Sequence, residues 1–335
     1  MLPFRPLLRN PHILTLFANF AVRRLDEHRF PIECRYYETE KDVQVLIHSQ
    51  RPAGQARGEI LMIHGLEGSS NAGYLKSLSQ HALESGYAVH RANMRSCGGT
   101  EALCKTMYHA GLTADTRFVL GKLKEEHKRP VFLIGFSLGG NVALKLAGEL
   151  AAAGRDLLEG VCAVSAPIDL AASVRKMSRR ENFIYEWRFL TRLKERIRKR
   201  SRSLPGVYAL EALDRVKSVY EFDDRITAPS FGFGSADNYY ATQSSSRFLH
   251  SIRVPTLIIQ AKDDPLIPFE IFGNDAIRDN PHIEFLAVDH GGHLGFLSHR
   301  PPHFWLDRAI LHWISRLPQR SPGVSGNSDN RQPQK

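Results

Sequence analysis

The chain has few of the features that mark disulfide-rich or membrane-spanning proteins. Its four cysteines (Cys34, Cys97, Cys104 and Cys162) show neither metal-ligand spacing nor a dense framework, so we expect reduced thiols and a cytoplasmic location. No stretch reaches the roughly 18 apolar residues that a membrane-spanning helix needs. The apolar run 13–22 lacks the small-residue cleavage site of a signal peptide. We expect it to belong to an N-terminal segment, 1–30, that packs on the body of the protein.

Signals for metal, cofactor and nucleic-acid binding are also missing. His290 and His293 lie close together, but no third ligand occurs nearby, and protein metal sites use three or four. No nucleic-acid-binding module is recognisable, and no segment is repeated. We therefore expect no metal, no cofactor and no nucleic-acid partner.

The apolar content and the alternation of strand and helix patterns favour one large α/β domain. Of the 335 residues, 42% are apolar, which allows a sizeable core. After a leading hairpin, strand-like segments alternate with helical patterns; the predicted strands are 34–39, 43–48, 60–63, 88–93, 131–136, 161–165, 256–260 and 283–288. This order predicts a mostly parallel eight-stranded sheet with helices on both faces over 31–317. The polar tail, 318–335, should be disordered.

The most informative segment is 130–140 (PVFLIGFSLGG). Ser137 lies at the end of a short apolar strand, between Gly135 and Gly139, and a helical pattern follows directly. A turn of this kind strains the serine and leaves no room for side chains two residues on either side. The Gly-x-Ser-x-Gly pattern also occurs in ordinary loops, so a nucleophilic role for Ser137 requires a base and an acid elsewhere.

Suitable partners follow at the ends of two later strands. A serine nucleophile needs a histidine to take its proton and a carboxylate to orient that histidine. The loop after the seventh strand contains Asp263 and Asp264, and the loop after the eighth contains His290 and His293. We choose Asp264, which leads directly into a proline-bounded turn, and His293, which follows two glycines. Asp169, after the sixth strand, is the alternative acid.

Acyl transfer through such a serine also requires backbone N–H donors for the oxyanion. One should be the amide of Leu138, directly after the serine, and the other that of Leu66, in the loop after the third strand. His64 begins that loop. We assign it a hydrogen bond that holds the loop rather than a direct catalytic role.

These segments together resemble the YheT-like branch of the α/β-hydrolases, AB hydrolase family 4. The similarity runs in order from residue 10 to residue 317. The matching segments are 10–12 (NPH), 64–69 (HGLEGS), 108–111 (YHAG), 135–140 (GFSLGG), 165–167 (SAP), 222–227 (FDDRIT), 239–240 (YY), 261–265 (AKDDP) and 290–293 (HGGH). The resemblance implies an α/β-hydrolase fold with a helical lid inserted at about 168–250.

The resemblance also implies hydrolysis of carboxylic esters through Ser137, Asp264 and His293. Short-chain esters or acylglycerols are then the expected small-molecule substrates. Two alternatives stay open: transfer of the acyl group to an alcohol, and a non-catalytic binding protein on the same fold. A complete set of serine, acid and base in the right order argues against the second.

Almost all of the excess positive charge lies in one segment of the predicted lid. Residues 175–202 contain twelve Lys and Arg against three Glu, so they account for nine of the formal net charge of +10. An apolar stripe recurs there at three- and four-residue steps and predicts an amphipathic helix; it consists of Phe183, Trp187, Leu190, Leu193 and Ile197. We expect this stripe to cap the active site while the charges are solvated. The alternative is peripheral contact of 175–202 with the anionic inner surface of a membrane.

Overall fold

The strands of the computed structural model, which describes residues 3–21, 23–205, 210–301 and 303–318, form one sheet. They are β1 (Glu33–Glu40), β2 (Val43–Gln50), β3 (Glu59–Ile63), β4 (Ala88–Ala92), β5 (Val131–Phe136), β6 (Gly160–Val164), β7 (Thr256–Ala261) and β8 (Ile283–Val288). Their order is β1-β2-β4-β3-β5-β6-β7-β8, and β2 is the strand that runs antiparallel to its neighbours. The predicted mostly parallel, eight-stranded sheet is confirmed.

Helices connect the strands and cover both faces of the sheet. They are α1 (Pro11–Phe20), α2 (Gly73–Glu84), α3 (Ala114–His127), α4 (Leu138–Leu150), α5 (Gly154–Leu157), α6 (Leu170–Met177), α7 (Phe183–Ser203), α8 (Leu210–Asp214), α9 (Val219–Phe222), α10 (Ala228–Ser230), α11 (Ala236–Gln243), α12 (Asp275–Asp279) and α13 (Trp305–Arg316). A π-helix, Asp223–Thr227, links α9 to α10.

The core divides into two layers because side chains alternate along each strand. In β3, Leu61 and Ile63 pack with α3 and α4 on one face, whereas Ile60 and Met62 pack with α2 and α13 on the other. Every residue of β3, β5, β6 and β7 is buried, as expected for parallel strands covered on both faces. The loops at the strand ends are therefore held on a rigid base.

The N-terminal segment lies along the loop that follows β8. Helix α1 begins at Asn10, whose side chain accepts a hydrogen bond from the Ile13 N–H at 3.0 Å, and proline occupies the first turn. Leu14 and Ala18 pack against Leu297. The segment thereby reaches the edge of the sheet at which the loop after β8 lies.

Helices α6 to α11 all lie between β6 and β7. The lid insertion that we expected at about 168–250 falls within this interval. The tail predicted to be disordered, 318–335, lies outside the described residues apart from Pro318.

Candidate active site

The carboxyl ends of neighbouring parallel strands bring the predicted residues to one edge of the sheet. Leu66 follows β3, Ser137 follows β5, Asp264 follows β7 and His293 follows β8. Since these strands belong to one parallel block of adjacent strands, their loops open on a common crevice, where open α/β sheets bind ligands.

Ser137 occupies a sharp turn between β5 and α4, with φ 51° and ψ −122°. Positive φ strains a residue that carries a Cβ, and such strain concentrates at functional sites. A Cβ at Gly135 would overlap the Gly139 carbonyl oxygen, and a Cβ at Gly139 would lie 2.6 Å from the carbonyl oxygen of His64. The turn therefore requires both glycines.

His293 connects Ser137 to Asp264. Its Nε2 lies 2.9 Å from Ser137 Oγ, and its Nδ1 lies 2.9 Å from Asp264 Oδ2. Because a carboxylate accepts at Nδ1, the ring carries its proton there and leaves Nε2 free to accept the serine proton. The other oxygen of Asp264 accepts from the N–H groups of Leu266 (2.9 Å) and Ile267 (3.1 Å). These bonds hold the carboxylate in its orientation.

The competing acids point elsewhere. Asp263 contacts His290 Nδ1 at 3.1 Å and accepts from the Gly292 N–H at 2.9 Å. Asp169 caps α6, where its side chain accepts from the Ala172 N–H at 2.9 Å. Neither carboxylate is hydrogen-bonded to His293, so the structure brings Asp264, and not its two rivals, to the imidazole.

Helix α1 supports the loop that carries His293. This contact could not be predicted from the sequence. The N–H of His293 donates to Thr15 Oγ1 at 2.8 Å, and this hydroxyl donates to the Pro11 carbonyl oxygen at 2.7 Å. Gly292, with φ 57°, has no room for a Cβ, which would lie 2.6 Å from both the Pro11 oxygen and Thr15 Oγ1. In the sequence, Asn10 and Pro11 indicate only that a helix begins there. They do not indicate which loop this helix contacts.

Two tyrosines hold the loop after β3 on either side of Leu66. The Gly65 N–H donates to Tyr74 Oη and the Glu67 N–H to Tyr108 Oη, each at 2.9 Å. Among the described residues we find no hydrogen-bond acceptor for the N–H of Leu66. The Leu138 amide is the first of α4, a position whose N–H has no intrahelical acceptor. Both predicted oxyanion donors thus have an available N–H.

His64 holds the same loop from within. Its Nδ1–H donates to the Gly65 carbonyl oxygen at 2.7 Å, and its Nε2 accepts from the Met94 N–H at 3.2 Å. Burial lowers the pKa of His64 to about 4, so the ring is neutral near pH 7. Both ring nitrogens are used in backbone hydrogen bonds.

A buried ion pair joins this loop to α7. The guanidinium of Arg196, on α7, donates to the Glu67 carboxylate at 2.8–3.1 Å, and Tyr108 Oη–H donates to the same carboxylate at 2.7 Å. Arg200 is fully buried and donates to the carbonyl oxygens of Glu101 (3.2 Å) and Cys104 (2.9 Å). The expectation that the charges of 175–202 are solvated is therefore wrong for Arg196 and Arg200, because main-chain and carboxylate oxygens replace water around them.

Replacing Arg196 with glutamine should destabilise the fold by about 3–5 kcal/mol, because it leaves a buried carboxylate without its ionic partner. Arg198, on the same helix, is a matched control. It pairs with Asp214 at 2.8 Å in an exposed bridge, whose loss should cost less than about 1 kcal/mol. Urea unfolding measures both free energies. Equal losses in R196Q and R198Q would contradict a structural role for the buried pair.

The apolar stripe of α7 divides into two parts. Leu190, Leu193 and Ile197 are buried as expected. Phe183 (66% exposed) and Trp187 (60%) lie in solvent together with Ile184. The prediction that Trp187 faces the pocket is therefore wrong: the first turn of α7 packs on the body through Tyr185, which is buried, and Trp187 lies on the exposed side of the helix.

Ser137 and His293 line two adjoining cavities, an inner pocket and an outer cleft. The inner pocket, of about 100 Å³, has mostly apolar walls, including Met107, Leu170, Val174, Met177, Leu193 and Ile267. The outer cleft, of about 560 Å³, is lined by residues of α1 and α7 together with the loop after β3, and includes the side chains of Arg188 and Arg192. An apolar group and a polar group could thus approach the serine from different sides.

The inner pocket is also lined by polar residues that do not belong to the set of Ser137, Asp264 and His293. They come from segments 108–111, 222–227 and 239–240, which are among those that resemble the family. Asp223 accepts from Tyr240 Oη–H at 2.7 Å, and burial raises the pKa of Asp223 to about 6. Burial also lowers the pKa of His109 to about 3, so this ring is neutral near pH 7. No pattern in the sequence places these residues in a pocket.

None of the helices within the described residues combines the length and apolar character that crossing a membrane requires. Nor does this part of the chain bring three His, Cys, Asp or Glu side chains together as metal ligands. Cys97 and Cys162 are buried, and burial raises the pKa of both thiols. Their sulfurs stay protonated and chemically inert.

Comparison with known proteins identifies the family. The chain matches the model for the alpha/beta hydrolase fold over residues 59–300. "Putative esterase YheT" of Escherichia coli (strain K12) is 34% identical over 314 residues, which cover 91% of this chain and 90% of that protein. The monoacylglycerol lipase of Saccharomyces cerevisiae is 25% identical over 331 residues, or 92% of this chain and 73% of the yeast protein.

Solved structures agree on the fold. The Pyrococcus furiosus esterase Pf2001 has a TM-score of 0.58 and 16% sequence identity, over 94% of this chain and 99% of that chain. At this identity the likeness concerns architecture alone. With the sheet order, the serine turn and the bacterial relative taken together, the chain belongs to the α/β-hydrolase superfamily, in its YheT-like branch, as a hydrolase of the esterase and lipase type.

Proposed function

We propose that the protein is a serine hydrolase that cleaves carboxylic esters through an acyl-enzyme. One observation carries the proposal: His293 lies within hydrogen-bond distance, 2.9 Å, of both Ser137 Oγ and Asp264 Oδ2. A strained serine, a neutral imidazole acceptor and a fixed carboxylate form the arrangement that activates a hydroxyl for attack.

In the first half of the reaction, Ser137 Oγ attacks the ester carbonyl while His293 Nε2 takes its proton. Asp264 stabilises the resulting imidazolium and keeps its Nδ1–H in place. The N–H groups of Leu66 and Leu138 bind the oxyanion of the tetrahedral intermediate. The intermediate collapses when His293 returns the proton to the departing alcohol.

In the second half, water replaces the alcohol. His293 takes a proton from the water as it attacks the acyl-enzyme, and a second oxyanion forms in the same site. Collapse releases the carboxylic acid and returns the proton to Ser137. An alcohol that reaches the acyl-enzyme first would instead yield a new ester, which is the acyl-transfer alternative.

The two spaces suggest how the substrate lies. We assign the acyl chain to the inner pocket, because its walls are mostly apolar and burial of methylene groups there contributes about 0.8 kcal/mol each. The alcohol portion then lies in the outer cleft. The yeast relative's name, a monoacylglycerol lipase, makes monoacylglycerols and short-chain esters the substrates to test.

Hydrolysis of an ester series with lengthening acyl chains tests this function. We expect turnover of short and medium-chain glycerol esters, with the fatty acid as the main product. Adding ethanol and measuring ethyl ester by chromatography separates hydrolysis from acyl transfer. Absence of turnover across the series would contradict the esterase assignment.

We also propose that the first turns of α7 contact an anionic membrane surface from the cytoplasmic side. Phe183 and Trp187 are more than half exposed, and the cations Arg179 and Arg180 directly precede them. Arg179 forms only an exposed 4.0 Å pair with Glu181. Aromatic side chains beside exposed cations favour an interface with anionic lipid.

Replacing Arg179 and Arg180 with glutamine should weaken binding to anionic vesicles about 30-fold, because each basic residue near the headgroups contributes about 1 kcal/mol. Hydrolysis of a small soluble ester should be unchanged. Co-sedimentation at low and high salt measures the binding. The double variant of Arg117 and Lys128, exposed near α3, removes the same charge as a control. Equal binding to neutral and anionic vesicles would contradict the proposal.

A further inference from the structure

Three arginines on one face of α7 line the outer cleft. Arg188, Arg192 and Arg196 follow one another at four-residue steps and all belong to its wall. Residues four apart lie above each other on a helix, so the three guanidinium groups form a row. Ser137 and His293 line the same cleft.

Only one of the three positive charges in this row is neutralised by a carboxylate among the described residues. Arg196 is buried and neutralised by Glu67, the one carboxylate among the described residues that line the outer cleft. Arg188 and Arg192 are exposed to the cleft and form no ion pair within the described part of the chain. Arg23, after α1, lines the cleft as a further cation.

Two like charges side by side cost stability rather than add to it. Similar charges at i and i+4 on a helix repel each other and destabilise the helix. Partial burial and the nearby charge of Arg192 both lower the pKa of Arg188. An uncompensated pair in the wall of the cleft that Ser137 also lines therefore has no evident role in the fold, and a bound anion would relieve the repulsion.

The position of the pair defines which part of a substrate it would meet. Arg188 and Arg192 line the outer cleft and not the inner pocket. With the acyl chain in the inner pocket, as in the proposed function, the leaving alcohol occupies the outer cleft. Guanidinium groups bind phosphate oxygens through paired, charge-assisted hydrogen bonds.

We propose that Arg188 and Arg192 form a subsite for a phosphate group on the alcohol portion of the ester substrate. Its orientation rests on the proposed function, since it assumes that the acyl chain occupies the inner pocket. The preferred substrates are then acylated polyol phosphates, such as an acylglycerol phosphate, over their neutral counterparts.

Kinetics with a matched substrate pair test the subsite. Monohexanoylglycerol and its 3-phosphate are used as monomers, so that no lipid surface contributes. We expect kcat/KM for the phosphate ester to fall at least tenfold in R188Q and in R192Q, since each variant loses a hydrogen bond between charged groups. The neutral ester should change less than about twofold, and R198Q should change neither. Equal losses on both substrates, or no loss on either, would overturn the subsite.

A binding measurement separates this inference from the proposed function. The ether analogues 1-O-hexylglycerol and 1-O-hexylglycerol 3-phosphate cannot be hydrolysed, and calorimetry gives their affinities. We expect the phosphate to bind at least tenfold more tightly in the wild type and equally in the double variant R188Q/R192Q. Equal wild-type affinities would overturn the subsite even if esters are cleaved, whereas a preference without turnover would count against the esterase alone.

Inorganic phosphate, titrated in the same way, separates a substrate headgroup from a free anion. It lacks the glycerol and alkyl contacts, so we expect it to bind at least tenfold more weakly than the ether phosphate. Equal affinity would overturn the assignment to a substrate headgroup. Melting temperatures of both glutamine variants should equal or exceed that of the wild type, because like-charge repulsion is removed.

Discussion

Replacing Ser137 or His293 with alanine should lower kcat for ester hydrolysis by about a million-fold, because the two groups act as a unit and either loss removes the whole nucleophilic step. Residual turnover would come from the oxyanion donors and substrate binding. The measurement is steady-state kinetics on a glycerol ester, together with mass spectrometry after fluorophosphonate treatment. The label should be found on Ser137.

His290 offers a matched control. It lies in the same loop as His293 but contacts Asp263, at 3.1 Å, and should tolerate alanine with a loss below about tenfold. Turnover close to that of the wild type in Ser137→Ala would refute the mechanism. So would labelling of a different serine in the wild type.

Replacing Asp264 with asparagine should lower kcat by about ten-thousand-fold with the fold intact. One oxygen of Asp264 accepts from the backbone N–H groups of Leu266 and Ile267. Asparagine must keep its single oxygen there, so its NH₂ group faces His293. That group donates to Nδ1, moves the ring proton to Nε2 and leaves no base for Ser137.

The rival acids provide the comparison. In Asp263→Asn the N–H of Gly292 keeps only one possible acceptor oxygen, and in Asp169→Asn the asparagine still caps α6. The kcat of each variant should stay within about tenfold of the wild-type value. Thermal unfolding shows whether a variant has lost its fold. Wild-type turnover in Asp264→Asn, with a large loss in Asp169→Asn, would mean that the acid had been assigned to the wrong strand.

Local chemistry explains what could be predicted. The turn at Ser137 could be recognised from neighbouring residues, because a Cβ at Gly135 would overlap the carbonyl oxygen of Gly139. Gly139 itself lies against the carbonyl oxygen of His64, which is a contact with a distant segment. The strand pattern predicted the sheet, and parallel strands place their carboxyl ends at one edge. Asp264 and His293 could thus be assigned to one crevice. The adjoining turn and the two glycines led to their choice over Asp263 and His290, and the observed hydrogen bonds support it.

Contacts between distant segments could not be predicted in this way. Thr15 and His293 are separated by 278 residues, and no pattern near either residue indicates the other. Arg196 and Glu67 carry ordinary surface residue types, yet the way the lid packs buries both. Trp187 continues an apolar stripe, but it lies on the exposed side of α7, whereas Tyr185, two residues earlier, is buried.

The sequence by itself determined the sheet, the strained serine and the order of nucleophile, acid and base, because each depends on short-range sterics or on strand periodicity. Only the tertiary structure decided which arginines of 175–202 are structural and which face the outer cleft. Burial of a charge depends on whether a partner from elsewhere reaches it. Glu67 reaches Arg196, and in the described part of the chain no carboxylate reaches Arg188 or Arg192.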